Sequence, residues 1–156
     1  MPSESVRELI MRNIETTLSA ISMGDYWHTV NTVSRSLRNP GDLKGVNIDF
    51  YSPAGTDVIT PLAGGSSGTG ITQTRMQIDV IAHVSNEVAN DTDAGRLASD
   101  IENAFLADRY RGGNALNIGV ISREIQTAND TGILTNVVLR FFVLYRHEFA
   151  NVGAQV

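Results

Sequence analysis

The apolar residues near the start of the chain fall at helical spacing. Val6, Leu9, Ile10, Ile14, Leu18 and Ile21 recur every third or fourth position, which places them on one stripe of an amphipathic helix. Ser5, Val6, Arg7 and Glu8 form an S-x-x-E capping box ahead of the stripe, so a helix is predicted over 3–22, ended by Gly24. Tyr26 to Val33 is rich in aromatic and β-branched residues and suits a strand. After a turn at Asn39, Pro40 and Gly41, the alternation of Val46, Ile48 and Phe50 with Asn47 and Asp49 predicts a second strand with one face on the core.

From Pro53 to Gly70 the composition shifts to Gly, Ser, Thr, Ala and Pro, and a flexible insertion loop is predicted there. Met76, Ile78, Val80, Ala82 and Val84 then alternate with Gln77, Asp79 and His83 as a long strand. A second helix, capped by Asn90 or Asp91, carries Ala94, Leu97, Ala98, Ile101, Ala104 and Phe105 on one face and stops at Gly112-Gly113. The last third reads as a hairpin, 116–126 and 133–145, joined by the turn formers 127–132. The predicted fold class is α+β. One domain spans 1–156, with an antiparallel or mixed sheet of about five strands, two main helices on one face, and the order α-β-β-(long loop)-β-α-β-β. The final strand is apolar on both faces, with Val137, Leu139, Phe141, Val143 and Tyr145 on one and Val138, Phe142 and Leu144 on the other. Its second face must meet a helix, lie centrally in the sheet or meet another chain.

Composition removes several kinds of chemistry. The absence of cysteine excludes disulfide frameworks, thiolate zinc sites and cysteine nucleophiles. A net charge of −5 supplies no broad basic field for a nucleic-acid backbone. No stretch approaches the roughly 18 consecutive apolar residues that span a bilayer, and MPSESVRELI lacks the apolar core of a secretion signal.

Local motifs fail on inspection. Gly65 to Thr72 has P-loop spacing, but Ile71 stands where the phosphate-binding lysine is required, and the run leads into a strand rather than a helix. Asp91, Asp93 and Glu102 mimic three EF-hand positions, yet Gly95 replaces a ligand and Arg96 the obligatory turn glycine. These acidic groups suit a helix N-terminus instead. His28, His83 and His147 have no second ligand at metal spacing, and the carboxylate pairs Asp100 with Glu102 and Glu124 with Asp130 read as solvated surface charge. No catalytic, cofactor-binding or metal-binding residue is therefore assigned, and the chain is expected not to be an enzyme.

Three later segments, read in order, are more specific. MQIDVIAHV is a strand, NDTDAGRLASDIENAFLADRYRGGNAL a helix running into a basic and aromatic end with two glycines, and VVLRFFVLYRHEFANV the closing segment. This succession, with its ADR-x-x-GG-x-A helix end and terminal YRH, resembles the tail terminator (tail completion) proteins of long-tailed bacteriophages. The opening RELIMRNIETTLSAI is similar to the N-terminal helix of that family. The resemblance covers most of the chain and is weakest over 53–70. It rests on Ala107, Asp108, Arg109, Gly112, Gly113 and Ala115, then Tyr145, Arg146 and His147.

The resemblance implies a ring, commonly a hexamer, that caps the tail tube, ends its polymerisation and presents a surface to the head or neck. The implied partners are further copies of the chain, the tube protein and a head-completion or neck protein, with no cofactor and no membrane. DNA would pass through the lumen without specific binding, which an acidic balance favours. The implied location is the tail-neck region of a virion, reached from the host cytoplasm. Arg109, Tyr110 and Arg111, at the end of the second helix, are candidates to project toward a neighbouring subunit, with Phe142 and Leu144 on the outer face of the last strand as a second candidate contact. Gly64, Gly65, Ser66, Ser67, Gly68, Thr69 and Gly70 form a candidate partner-binding loop, and Arg146, His147 and Phe149 a candidate C-terminal contact. A neck or head-tail joining adaptor is the nearest alternative. A small-molecule-binding or enzymatic α+β domain would instead need a deep pocket, and a nucleic-acid module a basic aromatic face.

Overall fold

The computed structural model describes residues 4–39, 44–62, 70–85, 91–127 and 134–149. Helix α1 spans Val6–Ser19 and helix α2 Asp91–Ala107. The strands are β1 (Thr32–Ser34), β2 (Gly45–Tyr51), β3 (Val58–Leu62), β4 (Gly70–Ser85), β5 (Asn117–Thr127) and β6 (Leu134–Phe149). They form one six-stranded sheet in the order β1-β2-β4-β6-β5, with β3 pairing β4 off that path. All pairings are antiparallel except β1 with β2, so the sheet is mixed and the class is α+β. The order α-β-β-(long loop)-β-α-β-β holds once β3 is inserted into the loop position.

The helix-capping pattern works as the sequence implies, but by half. Ser5 Oγ accepts the Glu8 N–H at 3.1 Å. The Glu8 carboxylate does not reach back; it accepts both terminal nitrogens of Arg35, at 2.6 and 3.0 Å. That pairing holds the carboxyl below its ordinary range. Helix α1 ends at Ser19 rather than 22, yet Ile21 beyond it still packs in the core.

One layer of side chains joins helices to sheet. Ile10, Ile14 and Leu18 of α1 and Leu97, Ile101 and Phe105 of α2 are buried with Ile48 and Phe50 of β2, Ile78 and Val80 of β4, and Leu139, Phe141 and Val143 of β6. The strand residues are every second position, so both helices cover the same face. The rings of Phe105 and Phe141 stack with centroids 4.0 Å apart and planes 17° apart, tying α2 to the middle of the sheet. Burying one such side chain contributes about 1.5–3 kcal/mol relative to leaving it exposed.

Three expectations need correction. Tyr26–Val33 is not a strand; only Thr32–Ser34 at its end is, and it runs parallel to β2 where an antiparallel neighbour was expected. The backbone N–H groups of Trp27 and His28 donate instead to the carboxylate of Asp100, at 3.1 and 2.9 Å, so a side chain takes the place of a neighbouring strand. The segment 53–70 is not one long loop. Val58–Leu62 pairs with Ile71–Arg75, on the side of β4 that β2 flanks further along, giving the sheet one strand more than predicted, while 63–69 lies outside the described residues. Helix α2 stops at Ala107, before Gly112-Gly113, which serve the turn that follows.

Candidate interaction surfaces

The segment that carries the resemblance is a tightly bonded corner between α2 and β5. The Asp108 carboxylate accepts the Gly112 N–H at 2.8 Å, and Asp108 and Tyr110 carbonyls accept N–H groups from Arg111, Gly113 and Ala115. Gly112 and Gly113 sit at φ 69° and 88°, left-handed backbone that favours glycine. Arg111 precedes them at φ 45°, a conformation that a side chain adopts only where surrounding contacts hold it.

Those contacts are internal, and they overturn the expectation that Arg111 projects outward. Arg111 is 0% exposed. Its guanidinium donates to the Asp108 carbonyl at 2.8 Å, to Thr17 Oγ1 of α1 at 3.1 Å and to the Phe105 carbonyl, and it lies over the Phe105 ring at 4.9 Å. Burial pushes its pKa below the ordinary arginine value, with Asp108 opposing. Arg111 therefore closes the C-terminal end of α2, satisfying carbonyls that a helix end leaves orphaned. Arg109 and Tyr110 are exposed, and Arg109 Nε donates to Asn117 Oδ1 at 3.1 Å. Of the basic cluster, these two face solvent.

A second surface is the arm formed where β3, the start of β4 and the end of β6 run side by side. Thr60 pairs with Gln73, and Gln73 with Arg146, so these residues form one row across the arm. Arg146 Nε donates to Gln73 Oε1 at 3.1 Å along that row. His147 lies one residue further, its ring 6.0 Å from that of Tyr145, and the backbone of Phe149 pairs with Gly70. Gly70 is thus the first residue of a strand; Gly64, Gly65, Ser66, Ser67, Gly68 and Thr69 fall outside the described residues. On β3, Val58 and Ile59 are 56% and 61% exposed. Sequence reading missed this strand because Pro61 and the surrounding glycines masked a short β-forming run, Val58-Ile59-Thr60, which was the available signal.

The sheet face away from the helices carries Phe142 and Leu144, both half-buried. Phe142 lies against Gly119 of β5, and the Arg75 guanidinium sits 4.7 Å above its ring. Further along this face Asp49 is fully buried and accepts Arg38 N–H and Arg38 Nε at 2.9 and 2.7 Å, with His83 Nε2 3.5 Å away. His83 Nδ1 meets Asn136 Oδ1 at 2.8 Å. Val138, Phe142 and Leu144, on the second apolar face of β6, are half-buried on the same side of the sheet as this polar layer.

Asp100, read from sequence as surface charge, is buried. Besides the two backbone donors it meets His28 Nδ1 at 3.0 Å, and it lines a concavity of about 360 Å³ with Gly24, Asp25, Tyr26, Trp27 and Asn103. The carboxylate's acceptor sites point at its own chain, so it fixes the loop after α1. Arg96 lies 4.3 Å over the exposed Trp27 ring beside it. Among the described residues no group of three His, Asp or Glu side chains is placed to hold a metal, and no helix is long and apolar enough to cross a membrane.

Comparison with protein-family models returns no match, and comparison with curated proteins returns none. Solved structures do match. A chain from the "Virion of native gene transfer agent (GTA) particle" superposes with a TM-score of 0.50 at 13% identity, covering 93% of this chain and 100% of that one. At this identity the likeness establishes the fold: the protein shares, over nearly its whole length, the α+β architecture of a chain found in that particle.

Proposed function

We propose that this chain is a structural, non-catalytic subunit of a phage-type virion particle, and that it forms a ring, a hexamer, which caps the tail tube, ends its growth and offers its other side to the head or neck. The observation that carries this reading is the end-to-end likeness in fold to a chain of a gene transfer agent virion particle. The tail-terminator resemblance of the ADR-x-x-GG-x-A corner and the terminal YRH agrees with it. The corner is a built structural unit, with Asp108, Arg111 and the two glycines each in a defined role, so that part of the resemblance is a likeness in folding rather than in active-site chemistry.

Ring subunits need two unlike flanks that complement each other. The chain has exposed apolar side chains on both sides of the sheet, Val58 and Ile59 on β3 and Leu116, Val120 and Ile121 at β5, which supports such a pair of contacts. A net charge of −5 favours a lumen through which DNA slides without phosphate contacts.

Polymerisation of the particle's own tube protein, with and without this chain, tests the proposal. Tubes of bounded length with the chain at one end are expected. Tubes of unrestrained length, with the chain absent from their ends but bound to a head or connector fraction, would transfer the role to a neck adaptor.

A further inference from the structure

We propose that the ring closes by strand addition: the open edge of β3 in one subunit lies against Tyr145–Phe149 of β6 in the next, running parallel to it. The inference rests on the ring reading and specifies which surfaces meet.

The arm supplies both halves of the contact. In β3, residues 58–62 pair with β4 on one side, and its other side is an edge of the sheet among the described strands. On the far side of the arm, β5 reaches β6 only as far as Asn117 opposite Leu144, with the Leu116 N–H donating to the Leu144 carbonyl at 2.7 Å. Beyond that point β6 continues to Phe149, and the strand paired to it there is β4. A strand added at this place would extend the column of β5.

The two edges stand at the same level of the sheet. Ile59 is opposite Thr74 and Thr74 opposite Tyr145; Leu62 is opposite Ile71 and Ile71 opposite Glu148. An edge strand offers backbone N–H and C=O groups in a row, and the chemistry that satisfies such a row is another strand. Pro61 has no N–H, so the ladder along β3 carries one donor fewer. The exposed Val58 and Ile59 point to opposite faces of the sheet, so an added neighbour would cover apolar surface on both.

Direction follows from the pairing. β3 is antiparallel to β4 and β4 to β6, so β3 runs parallel to β6. Rotation about an axis lying along the strands preserves that direction, and repeated rotation of unlike edges closes a ring. A two-fold axis would instead join like edges antiparallel. A second copy of the chain is therefore the occupant that the arm fits, because each copy presents both edges.

The chain has no cysteine, so introduced pairs report cleanly. Within one subunit Thr60 and Arg146 are separated by the strand carrying Gln73, a distance of about 9.5 Å at ordinary strand spacing and too long for a disulfide. The double variant Thr60→Cys with Arg146→Cys should give, on oxidation, a covalent ladder that ends at the ring. Val58→Cys and Leu62→Cys, each with Arg146→Cys, cover slips of two residues, which keep the same face. Single variants should stay uncrosslinked. Rings seen by native mass with no ladder from any pair would overturn strand addition while leaving the ring reading intact. A dimer from Thr60→Cys alone would also overturn it, in favour of two-fold pairing. Monomer at every concentration, with tube present, would remove the ring itself. Ile59→Lys gives an independent check: it should leave the thermal midpoint of the subunit unchanged and disperse the ring, and a persistent ring would count against the proposal.

Discussion

Replacing Arg111 separates a folding role from a contact role. With alanine at this position the carbonyls of Phe105 and Asp108 and the Thr17 hydroxyl lose their donor, and the Phe105 ring loses the guanidinium above it. A hydrogen bond from a charged donor contributes about 1.5–3 kcal/mol, and a buried acceptor left unsatisfied costs about 1–3 kcal/mol. Relief from burying a charge without a hydrogen-bonded carboxylate partner offsets part of this. The net loss expected for Arg111→Ala is about 3–5 kcal/mol, a large share of the stability of an ordinary domain. The left-handed backbone adds a second signature, because alanine at φ 45° keeps the strain that glycine relieves. Arg111→Gly should therefore be less damaging than Arg111→Ala by about 1 kcal/mol, reversing the usual order of the two residues. Urea denaturation of the purified subunit measures both. Equal midpoints for Arg111→Ala and the parent would refute the internal role and return Arg111 to the surface.

Phe105→Ala should lose about 3–5 kcal/mol by opening a cavity against Phe141, read as a lowered thermal midpoint. At Gly119 an added Cβ would stand 2.5 Å from the Phe142 ring, so Gly119→Ala should cost about 1–3 kcal/mol, and Phe142→Leu in the same chain should recover part of it in denaturant titration. Burial raises the Tyr145 pKa above its ordinary value of 10.0, with a Thr74 hydrogen bond opposing. The fold favours the neutral phenol, so stability is intact below the unfolded value and falls as pH rises through the raised one; Tyr145→Phe should remove that alkaline decline in pH-dependent unfolding.

The legible parts of the fold were those where one periodic signal decides the structure. The stripes from Val6 to Leu18 and from Ala94 to Phe105, and the alternations at Val46–Phe50 and Met76–Val84, became α1, α2, β2 and β4, because burial of one face fixes both register and type. Tyr26–Val33 failed because Asp100, distant in sequence, takes its N–H groups, and no local pattern reports a contact of that range. Strand β3 failed because its side chains are exposed on both faces, which leaves no alternation to read. Arg111 was misplaced for a related reason. Charge at a helix end ordinarily means solvent, and only the fold shows the carbonyls of Phe105 and Asp108 gathered around it. The sequence offers Arg109 and Tyr110 as candidate contacts, and both are exposed. It joined Arg146 to the C-terminal segment without indicating that β3 lies in the same row.

The central claim is that copies of this chain close into a cyclic ring. Native mass measurement of the subunit at low micromolar concentration, alone and with the tail-tube protein, tests it most directly. The account predicts one closed species, a sixfold multiple of 16.9 kDa, that survives dilution when bound to tube ends. A monomer under both conditions, or a dimer that does not grow, would contradict it.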